Sequence, residues 1–387
     1  MKILKCAALA AAVLFCSNMQ AKEVNSRTID EGGSGPYKAI IVSDDAIATH
    51  TIYRPQDLSV FKKGNLLPVL VWGNGGCANS SSGHINFLNQ IASQGIIVIA
   101  IGPMPEERPQ GGFGGGMGGG SSTQSSQLTE AMDWIIAQND DKDSQYYGKI
   151  DTKNIAAAGM SCGGLQALEV SKDPRLKTVM ICNSGLFVNN GGGGAAPAAG
   201  PRPQRPRPEG SRMDSARIGN GRIGNGRIGN GRIGNGRIGN GENPEPGNMP
   251  QGERPRMGGM MPPMGGGMPQ MGGGAPMMGG MPNMPKEDLA KIHTPIIYIL
   301  GGPTDIAYEN GMDDFKRIDH VPAFACNFNV GHGGTYTQPY GGEFGVVATA
   351  WLNWQLKGDQ EAGTLFTGET CGLSLREGWT CEKKNIP

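Results

Sequence analysis

The chain is 387 residues long with 34 basic and 34 acidic side chains, so its formal net charge is zero. Its 65 glycines and 27 prolines exceed what one packed domain uses and exclude close packing along the whole length. No global positive field exists to attract nucleic acid, and no folded nucleic-acid-binding module is legible.

The first 21 residues begin with Lys2 and Lys5, run apolar from 7 to 15, and reach a small residue at Ala21. An apolar stretch too short to span a bilayer behind a basic start predicts a cleaved secretory signal over 1–21 and an exported protein. Lipid anchoring through Cys16 ranks behind it, because Phe15 stands where a small residue is expected. No later segment is apolar for long enough to cross a membrane, so the mature protein is expected to be soluble. Removing the signal removes Cys6 and Cys16 and leaves six cysteines, at 77, 162, 182, 326, 371 and 381. An even number in an exported chain predicts disulfides. Cys371 and Cys381, ten residues apart in a polar tail, are the pair expected to staple that tail.

Strand-like apolar runs follow at 39–43, 48–53, 68–72, 96–101, 155–159, 178–182, 295–300 and 323–329. Helical patterns occupy 84–94, 125–138, 162–172, 310–317 and 344–357. In the second of these, Leu128, Met132, Ile135 and Ile136 share one stripe while Glu130 and Asp133 face elsewhere. This alternation predicts an α/β fold, a mostly parallel eight-stranded sheet with helices on both faces.

Two low-complexity stretches interrupt it. Residues 111–120 are nearly all glycine. The longer stretch, 189–285, follows the sixth predicted strand and holds five tandem Arg-Ile-Gly-Asn-Gly units at 217–241. It carries 11 arginines, no lysine and 5 acidic residues, about +6, against about −8 for the rest of the mature chain. Its apolar content is too small and scattered to offset the backbone entropy of ordering, so disorder is expected. One catalytic domain over 22–188 and 286–387 remains. Loops at the C-terminal ends of strands border the site in open α/β sheets, which would put this stretch near any substrate.

The strongest chemical signal is Gly159-Met160-Ser161-Cys162-Gly163-Gly164, between an apolar strand and a helix containing Leu165, Leu168 and Val170. A serine hydroxyl is a poor nucleophile unless it is exposed, held near a base and faced by donors for the developing oxyanion. A tight strand-turn-helix elbow supplies the exposure, and its glycines let the backbone pass closely. A glycine-rich turn with an incidental serine is the bland alternative, and the flanking strand and helix weigh against it. Ser161 is therefore the expected nucleophile.

For the base, His332 lies in a glycine-flanked loop after the last predicted strand, placed to deliver an imidazole across the top of the sheet. His50, His293 and His320 sit in a strand or connectors, and His84, at a helix start, is the one rival. Asp305 ends the run Gly301-Gly302-Pro303-Thr304-Asp305 just beyond a strand, giving the chain order Ser161, Asp305, His332. Asp313, Asp314 and Asp319 look like helix-surface charges. The oxyanion donors are expected to be the backbone N–H of Cys162 and that of Gly76, with Cys77 as second choice for the latter. No Cys or His cluster has zinc-ligand spacing and no phosphate or dinucleotide loop pattern occurs, so neither metal nor cofactor is expected.

Together with Tyr53-Arg54-Pro55, the Asn74-Gly75-Gly76 loop and Gly331-His332-Gly333, these segments resemble the dienelactone-hydrolase/cutinase-like branch of the α/β hydrolases. That branch includes polyester hydrolases and acyl esterases. The run Trp351-Leu352-Asn353-Trp354-Gln355-Leu356-Lys357-Gly358-Asp359, followed by a cysteine pair, is similar to the closing helix and tail of its cutinase-like members. The chain departs from the pattern at Asn74, where many members have His, and in using Ser where dienelactone hydrolases proper have a cysteine nucleophile. The resemblance implies that the strands before Gly73 and Ser161 are neighbours, which would bring Cys77 and Cys162 together as a disulfide bracing the oxyanion loop. A packed free thiol at Cys162 is the alternative.

The expected activity is hydrolysis of carboxylic esters, of a small molecule or linked to a polymer, through an acyl-enzyme. Two other classes compete. A serine peptidase would use the same triad, and amide beside ester substrates separate the two. A binding protein would act through the basic repeats on acidic envelope polymers, a salt-sensitive attraction that deletion of 189–285 tests. A repeat tolerated without a role is the simpler account of that stretch.

Overall fold

Consecutive residues of a strand point to opposite faces, and a strand covered on both faces is apolar at every position. In the run 68–72, Val69 and Val71 enter one hydrophobic cluster while Leu70 and Trp72 enter another. Ile296, Tyr298 and Leu300 divide from Ile297 and Ile299 in the same way. A computed structural model of the chain describes residues 25–106, 123–188, 282 and 284–387. All of these fall in the first of two units, 1–194 with 277–387, and the second unit, 195–276, lies outside the described residues. The expected signal segment, the glycine run at 111–120 and the repeats at 217–241 lie outside them too.

Among the described residues ten strands form one sheet: β1 (Ser26–Arg27), β2 (Ala39–Val42), β3 (His50–Pro55), β4 (Leu67–Gly73), β5 (Ile97–Ile101), β6 (Ile150–Met160), β7 (Leu176–Cys182), β8 (Ile296–Leu300), β9 (Ala323–Phe328) and β10 (Trp379–Lys384). Their spatial order is β1-β2-β3-β5-β4-β6-β7-β8-β9-β10. From β5 to β9 every neighbouring pair is parallel. The flanking pairs are antiparallel. All eight expected strands are present, and the count of eight is corrected to ten by β1 and β10 at the two edges. Both escape a hydrophobic reading for a physical reason. β1 is two polar residues, and β10 reads Trp-Thr-Cys-Glu-Lys-Lys, the charged composition that suits an edge with one neighbour.

The helices are α1 (Ile85–Ser93), α2 (Ser126–Asp140), α3 (Cys162–Val170), α4 (Tyr308–Arg317), α5 (Gly342–Lys357) and the single turn α6 (Gln360–Gly363). Leu128 and Ile135 of α2, Leu165 of α3 and Phe315 of α4 pack on one face of the sheet. Phe87 and Ile91 of α1 and Phe344 and Trp351 of α5 cover the other. Trp351 is fully buried, yet its indole N–H finds the Thr178 hydroxyl at 2.9 Å, so its area is gained without an orphaned donor. α5 stops at Gly358, whose left-handed conformation (φ 71°) turns its N–H back onto the Trp354 carbonyl at 3.0 Å.

Chain segments on both sides of the low-complexity stretch are fastened to α4. Leu186 N–H donates to Asp314 Oδ2 at 2.7 Å and Val188 N–H to Asn310 Oδ1 at 3.1 Å. From the other side, the buried Lys286 ammonium meets Asp314 at 2.7 Å and Asp313 at 2.6 Å. Asp314 is thus a buried ion-pair partner, where the sequence reading made it a surface charge. Burial pushes its pKa up to about 6 against the opposing pull of Lys286.

Candidate active site

Parallel strands present their C-terminal tips on one edge of the sheet, and the expected site residues hang from those tips. The 74–78 loop follows β4, Ser161 follows β6, Asp305 lies beyond β8 and His332 beyond β9. β6 ends at Met160 and α3 begins at Cys162, leaving Ser161 alone to make the turn with φ 54° and ψ −118°. A non-glycine residue rarely adopts that backbone, and here it lifts the hydroxyl out of the sheet. The turn is tied by Ser161 N–H to the Cys182 carbonyl at 3.0 Å and by the Ser184 hydroxyl to the Ser161 carbonyl at 2.7 Å. It closes only because Gly163 lacks a side chain: a Cβ there would lie 2.1 Å from the Gly73 carbonyl carbon.

The three expected residues meet. His332 Nε2 lies 3.0 Å from Ser161 Oγ, and His332 Nδ1 lies 2.6 Å from Asp305 Oδ1. For Nε2 to accept the serine proton, the ring proton must sit on Nδ1, where Asp305 accepts it. The carboxylate is buried and fully engaged. Oδ1 also accepts from Ala307 N–H at 2.9 Å, while Oδ2 accepts from Gly301 N–H at 3.0 Å and from Asn183 Nδ2 at 2.7 Å. Burial by itself would raise its pKa. The hydrogen bonds from His332, the two backbone N–H groups and Asn183 outweigh burial and hold it below the ordinary carboxylate value.

His84, the rival base, is buried among aromatic rings, with its centroid 5.2 Å from that of Trp72 and 5.0 Å from that of Tyr336. Burial pushes its imidazole down to about 4, and its Nδ1 finds no hydrogen-bond partner among the described residues. His50 and His320 are each bonded to a backbone carbonyl, of Gln127 and Ile292.

The loop after β4 carries two left-handed residues in succession, Gly76 (φ 65°) and Cys77 (φ 48°). Cys77 and Cys162 lie at disulfide distance, with sulfurs 1.91 Å and Cα atoms 5.1 Å apart. The first N–H groups of a helix have no acceptor within it, and Cys162 is the first residue of α3. Cys371 and Cys381, the pair expected to staple the tail, face one another with 2.7 Å between sulfurs but are free cysteines in this structure. Cys182 and Cys326 are buried thiols.

Two neighbours of the site escaped the sequence reading. Asn183, the residue after β7, has φ 43° and is fully buried against Asp305. Tyr336, four residues beyond His332, donates its hydroxyl to Asn183 Oδ1. A polar side chain directly after an apolar parallel strand was the available signal for the first, and nothing local marked the second.

Residues 34–184 match the family model described as PETase, PET hydrolase-like. The PET hydrolase-like match covers under half of the 387 residues, ending beyond Ser161 and before Asp305 and His332. Together with the mainly parallel sheet it bears out the resemblance to polyester-hydrolase-like α/β hydrolases, enzymes that act on esters. No curated protein matches the chain. Among the described residues no helix is long and apolar enough to cross a membrane, and no group of three His, Cys, Asp or Glu side chains could hold a metal ion.

Proposed function

We propose that the chain is an exported serine esterase whose catalytic domain is built from 22–188 and 286–387. The observation that carries the reading is the unbroken relay from Ser161 Oγ to His332 at 3.0 Å and from His332 to Asp305 at 2.6 Å, on a serine raised by a strained turn. Ser161 Oγ adds to the ester carbonyl as His332 Nε2 takes its proton, and Asp305 stabilises the imidazolium. The oxyanion of the tetrahedral intermediate is received by the N–H groups of Gly76 and Cys162. Its collapse expels the alcohol, protonated by His332, and leaves an acyl-Ser161 ester. Water, deprotonated by His332, then releases the acid and restores the serine.

The Cys77–Cys162 contact supports a disulfide that fixes the oxyanion loop to the nucleophile's turn. The cysteine pair at 371 and 381 supports a second that pins the tail. Both fit an oxidising compartment. Hydrolysis of short-chain nitrophenyl esters by the full chain tests the reading, with Ser161→Ala lowering kcat by roughly 10⁴-fold or more. Turnover unchanged by that substitution would overturn the mechanism. Anilides assayed beside the esters separate esterase from peptidase, and a polyester film beside acetyl and feruloyl esters ranks the substrate class.

A further inference from the structure

We propose that Asn183 is a positioning residue for this reaction: its side-chain amide, anchored by a hydrogen bond from the Tyr336 hydroxyl, holds Asp305 and the His332 loop in register with Ser161. The inference rests on the serine-esterase reading and names a residue that reading did not need.

Asn183 occupies the tip of β7, which lies between β6 and β8, the strands leading to Ser161 and Asp305. Its backbone is pinned by its own N–H to the Ile299 carbonyl at 2.8 Å, while the preceding carbonyl, of Cys182, takes the Ser161 N–H. Its left-handed conformation is one that asparagine adopts more readily than most side-chain-bearing residues. From there Nδ2 reaches two loops at once: Asp305 Oδ2 at 2.7 Å and the Gly331 carbonyl, next to His332, at 3.3 Å. The approach is close enough to require glycine opposite, since a Cβ on Gly301 would stand 2.0 Å from that carbonyl and 3.0 Å from Nδ2.

An asparagine amide is useful here only one way round. Flipped, it would aim an oxygen at the Asp305 carboxylate, acceptor against acceptor. Asp305 and the Gly331 carbonyl, acceptors both, fix the orientation, and the Tyr336 hydroxyl then donates to the outward Oδ1. Burial raises the phenol's pKa well above its ordinary value, so it stays a donor at any working pH. The phenol is held by rings on several sides, with Phe87 at 5.2 Å and Phe344 at 5.4 Å between centroids. The titratable groups facing this pair are Asp305, His332 and the buried Cys182 thiol, with His84 across the Tyr336 ring.

The test compares Asn183→Ala and Tyr336→Phe with the parent in the full chain. Three quantities are read: nitrophenyl ester kinetics, the final stoichiometry of fluorophosphonate labelling at Ser161, and the low-field proton resonance of the His332–Asp305 hydrogen bond. For Asn183→Ala, kcat should fall roughly 10- to 100-fold with KM within about twofold. Labelling should still reach full stoichiometry, more slowly, and the low-field resonance should move or broaden. Tyr336→Phe should change the same quantities in the same direction, with kcat down roughly three- to tenfold. A kcat within twofold of the parent, a loss of kcat matched by an equal loss of labelled sites, or an unmoved resonance would overturn the proposal. If Asn183→Ala does not fold, Tyr336→Phe decides by the same criteria. The resonance does not depend on ester turnover, so a Ser161→Ala protein that still hydrolyses ester would defeat the esterase reading while leaving the Asn183 test readable.

Discussion

Opening the link between Cys77 and Cys162 should cost the protein both stability and rate. The two cysteines are 85 residues apart in sequence. Closing a loop of that length in the unfolded chain removes about 15 cal/mol/K of entropy, or about 4.5 kcal/mol at 25 °C. A bond between the tail pair at 371 and 381 would close only ten residues, worth about 2.7 kcal/mol on the same expression. The long loop therefore dominates any response to reduction. For a body of this size each kcal/mol moves the melting temperature by about 2–4 °C, so Cys77→Ser/Cys162→Ser should melt about 10–15 °C lower. The double variant is preferable to reductant alone, because reductant would also open any bond between Cys371 and Cys381 and a single variant leaves a stray thiol. Activity should fall as well. In the proposed disulfide the pair would tie the Gly76 loop covalently to the turn that carries Ser161. Loss of one oxyanion donor costs about 10²–10³ in kcat, and a donor that is only loosened should cost about tenfold. Differential scanning gives the melting temperature, ester kinetics give kcat, and mass spectrometry of alkylated peptides counts thiols. A double variant that melts within about 2 °C of a parent shown by mass to hold the bond would refute the loop-closure account.

Other expectations follow from the same geometry. His332→Ala should lose as much kcat as Ser161→Ala, and combining the two should lose little more, because the residues act as one unit; additive losses in the double variant would contradict this. Asp314→Ala leaves the buried Lys286 with Asp313 alone and takes the acceptor from Leu186 N–H, which should cost about 3–5 kcal/mol by urea denaturation at pH 7. Asp305 has a depressed pKa in the folded state, so its contribution to stability is complete above the ordinary carboxylate value of about 4 and is lost as pH falls through its lower folded value. The melting difference between the parent and Asp305→Asn should accordingly be flat above about pH 5 and shrink below about pH 4, and a difference that widens on acidification would reverse the sign.

The elements were legible where burial on two faces wrote a continuous apolar run. β8 reads Ile-Ile-Tyr-Ile-Leu, and the inner stretches of β4 (Val-Leu-Val-Trp) and β7 (Val-Met-Ile-Cys) are unbroken apolar runs. β6 was read only from Ile155, because its first turn of chain, with Asp151, Lys153 and Asn154, is polar and lies toward the solvent end of the sheet. β10 was invisible for a related reason: it is held by its ladder with β9 and shows alternating exposure, so its residues record the edge and not the core. The burial of Asp314 is not legible because a helix-periodic carboxylate looks the same in sequence whether it meets water or the ammonium of Lys286, 28 residues earlier. The turn at Ser161 is legible through local sterics, whereas Tyr336 reaches Asn183 across 153 residues of sequence, and no local pattern encodes that contact.

A single property of the sheet explains why the chemistry could be ordered from the chain at all. Neighbouring parallel strands β4, β6, β7, β8 and β9 end on one edge, so loops that follow them are neighbours in space in the same order. In the proposed mechanism the oxyanion loop follows β4, on one side of the β6 tip that carries Ser161, and the proposed acid and base, Asp305 and His332, follow β8 and β9 on the other side. This order leaves the tip of β7 between nucleophile and acid without an assigned reactive group. A side chain there lies within reach of both, and an apolar one would leave Asp305 Oδ2 with a single donor in a buried site. An amide donor at Asn183 completes that carboxylate, so the vacancy in the order of tips was itself the place to look for the missing partner.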